Sequence, residues 1–185
     1  MPHPYLKEIQ KIFVANGNQL IAKGAKAYLL NQFEFYGIKT PLRRQLCKAF
    51  YKTHPIKDHT ELSKLIKECF NEPQRELHYF AIELLGHHKK IWSIKTIPLI
   101  EWMITHQSWW DSVDSTNTHV ISKFFLLHPE HIEAYDAQNT RAAYQRWYAP
   151  NNAILLVVGD VEPRAALKKI ETIFGALPAK PLPAR

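Results

Sequence analysis

The chain has 185 residues, 46% of them hydrophobic and 22% charged, which excludes a disordered polymer and leaves room for one ordinary domain plus part of another. No apolar run approaches the roughly 18 residues of a membrane span, and Met1-Pro-His-Pro4 lacks the basic and apolar stretches of a secretory signal, so a cytoplasmic protein with no membrane partner is expected. A net charge of +7 favours an acidic partner, of which nucleic acid is the commonest.

In chain order, residues 4–15 predict a short amphipathic helix with Leu6, Ile9, Ile12 and Phe13 on one face. Residues 18–36 predict a longer helix, with Gly37 as its stop. Thr40 is placed as an N-cap with Pro41 in the first turn of a helix reaching about Thr53. Asp58 and Glu61 have the spacing of a capping box. Behind them Leu62, Leu65, Ile66, Cys69 and Phe70 recur at helical spacing. Pro73 opens the next predicted helix, where Leu77, Phe80, Ala81, Leu84 and Leu85 repeat that spacing, and Gly86 ends it. Residues 93–106 and a stretch from about Trp110 to His128-Pro129 complete the series. Cys47 and Cys69 fall among these apolar positions and read as reduced core thiols.

No strand pattern precedes residue 150, so the expected fold class is all-α. The pairs 40–53/58–71 and 74–86/93–106 predict a HEAT-like helical-repeat array. The tail differs. All ten histidines lie at or before His131. After a helix over Asp136–Tyr148, the run Ala153–Gly159 has the composition of a strand buried on both faces. A helix from Glu162-Pro163 to Gly175 follows, then an extended stretch with Pro178, Pro181 and Pro183. A lone strand leaves its backbone groups without a ladder, which marks the run as a piece of a larger sheet. The expected domains are residues 1–135 and 136–185.

The chemistry is placed in Ser108-Trp-Trp-Asp-Ser-Val-Asp114. Trp110 and Asp114 are four apart and share a helix face. An indole face attracts a cation through its quadrupole and a carboxylate attracts it by charge, so the pair suits a substrate that carries or develops positive charge. The residues alone also allow, and taken by themselves favour, Trp109 and Trp110 as plain core and Asp111 as an N-cap. Lys39, Thr40, Arg43 and Arg44 gather at a helix start, a ready anion site, although a solvated basic face fits the same residues. Arg75 and Lys89-Lys90 are weaker candidates of the same kind.

Residues 1 to about 135 resemble the bacterial DNA alkylation repair glycosylases of the AlkD type. The matching stretches are Phe35-Tyr-Gly-Ile-Lys-Thr-Pro-Leu-Arg-Arg44, Glu72-Pro-Gln-Arg-Glu76, Ser108-Trp-Trp-Asp-Ser-Val-Asp114 and His128-Pro-Glu-His-Ile-Glu-Ala-Tyr135. The resemblance implies a stack of HEAT-like repeats with a concave basic face that binds duplex DNA. It implies excision of cationic N3- and N7-alkylated purines, without a cofactor, a metal or an obligate protein partner. It places the catalytic aspartate at Asp114 and the neighbouring tryptophan at Trp110, with backbone contacts near Lys39, Thr40, Arg43 and Arg44. The family continues through further repeats that supply another active-site tryptophan and an arginine. Because the resemblance stops near Tyr135, a cleft lacking about half its wall and an impaired activity are expected.

The stretch Asp136–Val161, with its Trp-Tyr-Ala-Pro-Asn-Asn and Gly-Asp-Val, and Phe174-Gly-Ala-Leu-Pro178 resembles the pitrilysin-type zinc peptidases. Their His-x-x-Glu-His motif is absent. His128-Pro-Glu-His131 is one residue too short to present those ligands and carries a proline besides. Three functions follow as alternatives: an alkylpurine glycosylase, a non-catalytic helical-repeat DNA-binding or scaffold protein, and a non-catalytic piece of a zinc peptidase.

Overall fold

The computed structural model describes residues 2–130 and 155–180. The chain divides into two compact units, Met1–Pro129 and Glu130–Arg185.

The first unit is helix packed on helix, as the all-α reading expects: α1 Pro4–Ala15, α2 Gln19–Tyr28, α3 Thr40–Thr53, α4 His59–Phe70, α5 Arg75–His87, α6 Thr96–Thr105, α7 Trp110–Thr116 and α8 Ser122–Leu127. Local chemistry sets most boundaries. Asn18 Oδ1 accepts from the amides of Leu20 and Ile21 at 3.0 Å each and starts α2. Asp58 Oδ1 caps α4 through Thr60 N at 2.8 Å and Glu61 N at 2.9 Å. The returning Glu61 carboxylate reaches one residue beyond a capping box, to Lys57 N at 2.8 Å. Between α7 and α8 the helix widens into a π turn over Asn117–Ile121.

α5 is central. It is buried nearly all round, from Leu77 and Phe80 to the polar Arg75, Glu76 and His78, and it packs on α3, α4, α7 and the π turn. Phe80 meets Phe13, Phe50 and Tyr51 edge-on or tilted at 6.4, 5.6 and 5.7 Å. Cys47 and Cys69 lie unpaired in this core, and burial raises both thiols, Cys47 to about 12.

Several expected boundaries are corrected. The helix predicted over 18–36 ends at Tyr28, because Leu30 and Asn31 turn left-handed (φ 54° and 59°). The released segment pairs instead with the entry to α5: Glu34 N donates to Pro73 O at 3.1 Å and Arg75 N to Glu34 O at 2.8 Å. Gly37 is therefore not a helix stop. At φ +84° it lies so close to α2 that a Cβ would stand 2.0 Å from Asn18 O. Lys39, not Thr40, is the N-cap of α3, and Thr40 is its first residue. α5 begins at Arg75 rather than at Pro73, and it runs through Gly86 to His87. Gly86 serves packing: a Cβ there would meet His119 O of the π turn at 2.9 Å.

In the second unit, Glu162 caps α9 (Pro163–Phe174) by accepting from Arg164 N and Ala165 N. The strand expected over Ala153–Gly159 does not form where it is described. Residues 155–158 are irregular, with Leu156 81% and Val158 91% exposed, and no strand occurs among the described residues. Without a second strand the backbone has no ladder to join. The helix expected over Asp136–Tyr148 and the terminal Pro181 and Pro183 lie outside the described residues.

Candidate functional site

A cavity of about 430 Å³ opens in the first unit between α2, the loop before α3, α5 and the start of α7. Tyr28, Phe35, Tyr79 and Trp110 supply aromatic wall, while Lys39, Thr40, Arg43, Glu76 and Asp111 supply polar groups.

Trp110 is the first residue of α7, half exposed, and meets the Tyr28 ring near-perpendicularly at 5.8 Å. Asp114 follows one turn later on the same helix, exposed, outside the cavity lining. Trp109 is half-buried, and its indole Nε1 is buried without a hydrogen-bond partner among the described residues. Lys39 and Thr40 line the cavity and are exposed. Arg44 is exposed but outside the lining, and its Nε lies 3.4 Å from Glu83. Arg43 turns inward. Only 5% exposed, it donates from Nη2 to Glu83 at 3.1 Å and lies over the Tyr79 ring at 4.9 Å, while Nη1 is buried with no hydrogen-bond partner among the described residues. The structure thus brings Trp110, Lys39, Thr40 and Arg43 to one cavity and leaves Asp114 and Arg44 beside it.

Arg75, a weaker phosphate candidate by sequence, is not available for that role. It is fully buried and forks onto Asp111, with Nε to Oδ2 at 2.9 Å and Nη2 to Oδ1 at 2.7 Å. Asp111 is accordingly a salt-bridge partner rather than a helix cap, and it also accepts from the Tyr79 hydroxyl. Burial alone would raise the Asp111 carboxyl, but the hydrogen bonds from Arg75 and Tyr79 and the guanidinium charge hold it below its ordinary value. Burial, with Asp111 as acceptor, keeps Tyr79 a protonated donor. His78 accepts from Arg75 Nη1 at 3.0 Å through Nδ1 and therefore donates from Nε2 to Glu72 O at 2.8 Å. Burial pushes this imidazole down to about 4, so it is neutral.

Glu76, also missed by sequence, accepts from three successive amides before α3: Tyr36 at 3.1 Å, Gly37 at 2.8 Å and Ile38 at 3.2 Å. The available signal was the Glu72–Glu76 stretch itself, where an Arg-Glu pair opens an otherwise apolar helix. Among the described residues no three His, Cys, Asp or Glu side chains are placed to hold a metal, and no helix is long and apolar enough to cross a membrane.

The family model described as DNA alkylation repair enzyme matches residues 9–147, and the chain belongs to that family. A second model, the peptidase M16 inactive domain, matches residues 134–185. Among solved structures, a predicted DNA alkylation repair enzyme from Enterococcus faecalis is 25% identical with a TM-score of 0.60, over 85% of this chain and 74% of that one. Among curated proteins, the probable zinc protease PqqL of Escherichia coli (strain K12) is 32% identical over 85 residues, 43% of this chain and 9% of PqqL. Protein YhjJ of Salmonella typhimurium is 38% identical over 45 residues, 24% of this chain and 9% of that protein. The chain thus spans about a tenth of the length of these curated relatives. The family is one of DNA repair.

Proposed function

We propose that the chain binds duplex DNA and hydrolyses the N-glycosidic bond of cationic N3- and N7-alkylated purines. The observation that carries this reading is the Trp110–Asp114 pair on one helix, beside a cavity also lined by Lys39 and Thr40. As the bond to C1′ breaks, its electron pair goes to the alkylated purine, which leaves neutral, and positive charge passes to the sugar. The Asp114 carboxylate stabilises that charge and takes a proton from the water that adds to C1′. Trp110 lies against the cationic lesion or its deoxyribose. Lys39, the Thr40 end of α3 and Arg44 meet phosphates, with Arg43 behind them, tied to Glu83. Residues 136–185 are read as a peptidase-like segment without zinc chemistry, since the His-x-x-Glu-His motif is absent from the sequence.

The test is single-turnover release of N7-methylguanine from methylated duplex DNA, with binding measured across salt. Asp114→Asn is expected to slow release by about 10²-fold or more at unchanged affinity. Lys39→Glu with Arg44→Glu is expected to weaken binding and lower the salt slope by about one per lost phosphate contact. Equal release by wild type and Asp114→Asn removes the catalytic role. The second reading, DNA binding without hydrolysis, is favoured by the place of Asp114 outside the cavity lining. Salt-dependent binding with no release at all would establish it.

A further inference from the structure

α7 starts without a side-chain cap, since no side chain of its N-cap residue Trp109 bonds to the first turn. Its entry residue Gln107 is left-handed, at φ 50°. One buried guanidinium grips both sides of this start. Arg75 forks onto Asp111, the residue after Trp110, and Nη1 donates to Gln107 O at 2.7 Å. Arg75 itself has little freedom. Its guanidinium lies on the Phe33 ring at 3.8 Å, and Nη1 also bonds to His78, which is held in turn by Glu72 O. Trp110 is half exposed, and its ring crosses that of Tyr28 at 77°. Its direction therefore depends on the backbone turn that Arg75 grips.

We propose that Arg75 and Asp111 are positioning residues: their buried pair, joined by Tyr79, fixes the first turn of α7 so that Trp110 points into the cavity and Asp114 follows on the same helix. The next residue, Glu76, holds the amides of residues 36–38 that lead into Lys39 and Thr40. Two neighbouring residues at the start of α5 thus set the purine side and the phosphate side of the cavity against one frame. The consequence for hydrolysis rests on the reading above, whereas the orientation of Trp110 does not.

The test uses the full chain labelled with fluorotryptophan, with the Trp110 fluorine resonance assigned by its loss in Trp110→Phe. Asp111→Asn removes the charge at constant size, and Tyr79→Phe removes one hydrogen bond without leaving a buried charge unpaired. Both are expected to shift or broaden the Trp110 resonance while those of Trp92 and Trp102 stay in place. Methylguanine release is expected to fall by about ten- to a hundredfold in Asp111→Asn, with the DNA dissociation constant within about twofold. Arg75→Lys, which keeps the charge but not the fork, is expected to fall between wild type and Asp111→Asn. An unchanged Trp110 resonance in Asp111→Asn overturns the proposal. If that variant does not fold, an unchanged resonance in Tyr79→Phe overturns it instead. If wild type releases no methylguanine, the glycosylase reading fails, and the fluorine spectra still decide the positioning role.

Discussion

α5 and α9 are almost equal in length, at 13 and 12 residues, and both carry apolar residues at helical spacing. α5 is buried nearly all round by α3, α4, α7 and the π turn, whereas α9 buries none of its residues. Ile173 and Phe174 of α9 stand 56% and 47% exposed, while Phe80 and Leu77 of α5 are fully covered. An apolar stripe therefore states which side of a helix gains by being covered. Whether it is covered depends on other segments, and the stability follows the covering.

This contrast can be broken most forcefully at Phe80. Phe80→Ala is expected to cost about 3–5 kcal/mol in urea unfolding, because the three rings around it cannot all collapse into the space. A loss below about 1 kcal/mol would show that α5 is not the centre of the core.

A second test uses pH. The folded state keeps His78 neutral down to about 4, whereas the unfolded chain protonates it near 6.5. The unfolded state therefore binds more protons in that window. Stability is expected to fall as pH drops from 6.5 towards 4, by up to about 3 kcal/mol from His78, and to go on falling below as the lowered Asp111 carboxyl protonates. Other lowered histidines, His59, His87 and His119, share the same sign. His78→Asn should remove the largest part of the decline, and an unchanged pH profile would show that His78 is not held neutral. Residues 155–180 contain no histidine, so amide exchange there, corrected for intrinsic rates, should not follow this transition.

The smallest effect is expected at Ile173. Ile173→Ala should leave the free energy of urea unfolding within about 0.5 kcal/mol of wild type, since the side chain is half exposed before truncation. A cost above about 1.5 kcal/mol would mean that something covers this face in solution.

Periodicity and capping residues were enough to place α1, α3, α4, α6 and the start of α7 in the sequence within a few residues, because these helices are specified by their own side chains. Asp58 acts within its own turn, and such a contact is readable from adjacent letters. The segment 29–38 was not legible. Its path is set by Glu34 pairing across to Pro73 and Arg75, and by the Glu76 carboxylate that gathers three of its amides. Gly86 was misread for a related reason: it ends nothing locally and instead admits the π turn.

The site divides along the same line. The sequence by itself determined that Trp110 and Asp114 share a helix, that Lys39, Thr40 and Arg44 cluster at a helix start, and that no His-x-x-Glu-His motif is present. These are relations between neighbours, set by the 3.6-residue turn and by composition. Only the tertiary structure decided that Arg43 and Arg75 face inward to Glu83 and Asp111. It also decided that Trp110 joins Tyr28 at a cavity wall and that the Val-rich run at 155–158 forms no strand. A guanidinium is placed by the carboxylate it finds, and a strand by the strand beside it. In both cases the position is set by contacts beyond the neighbouring residues, where local spacing carries no information.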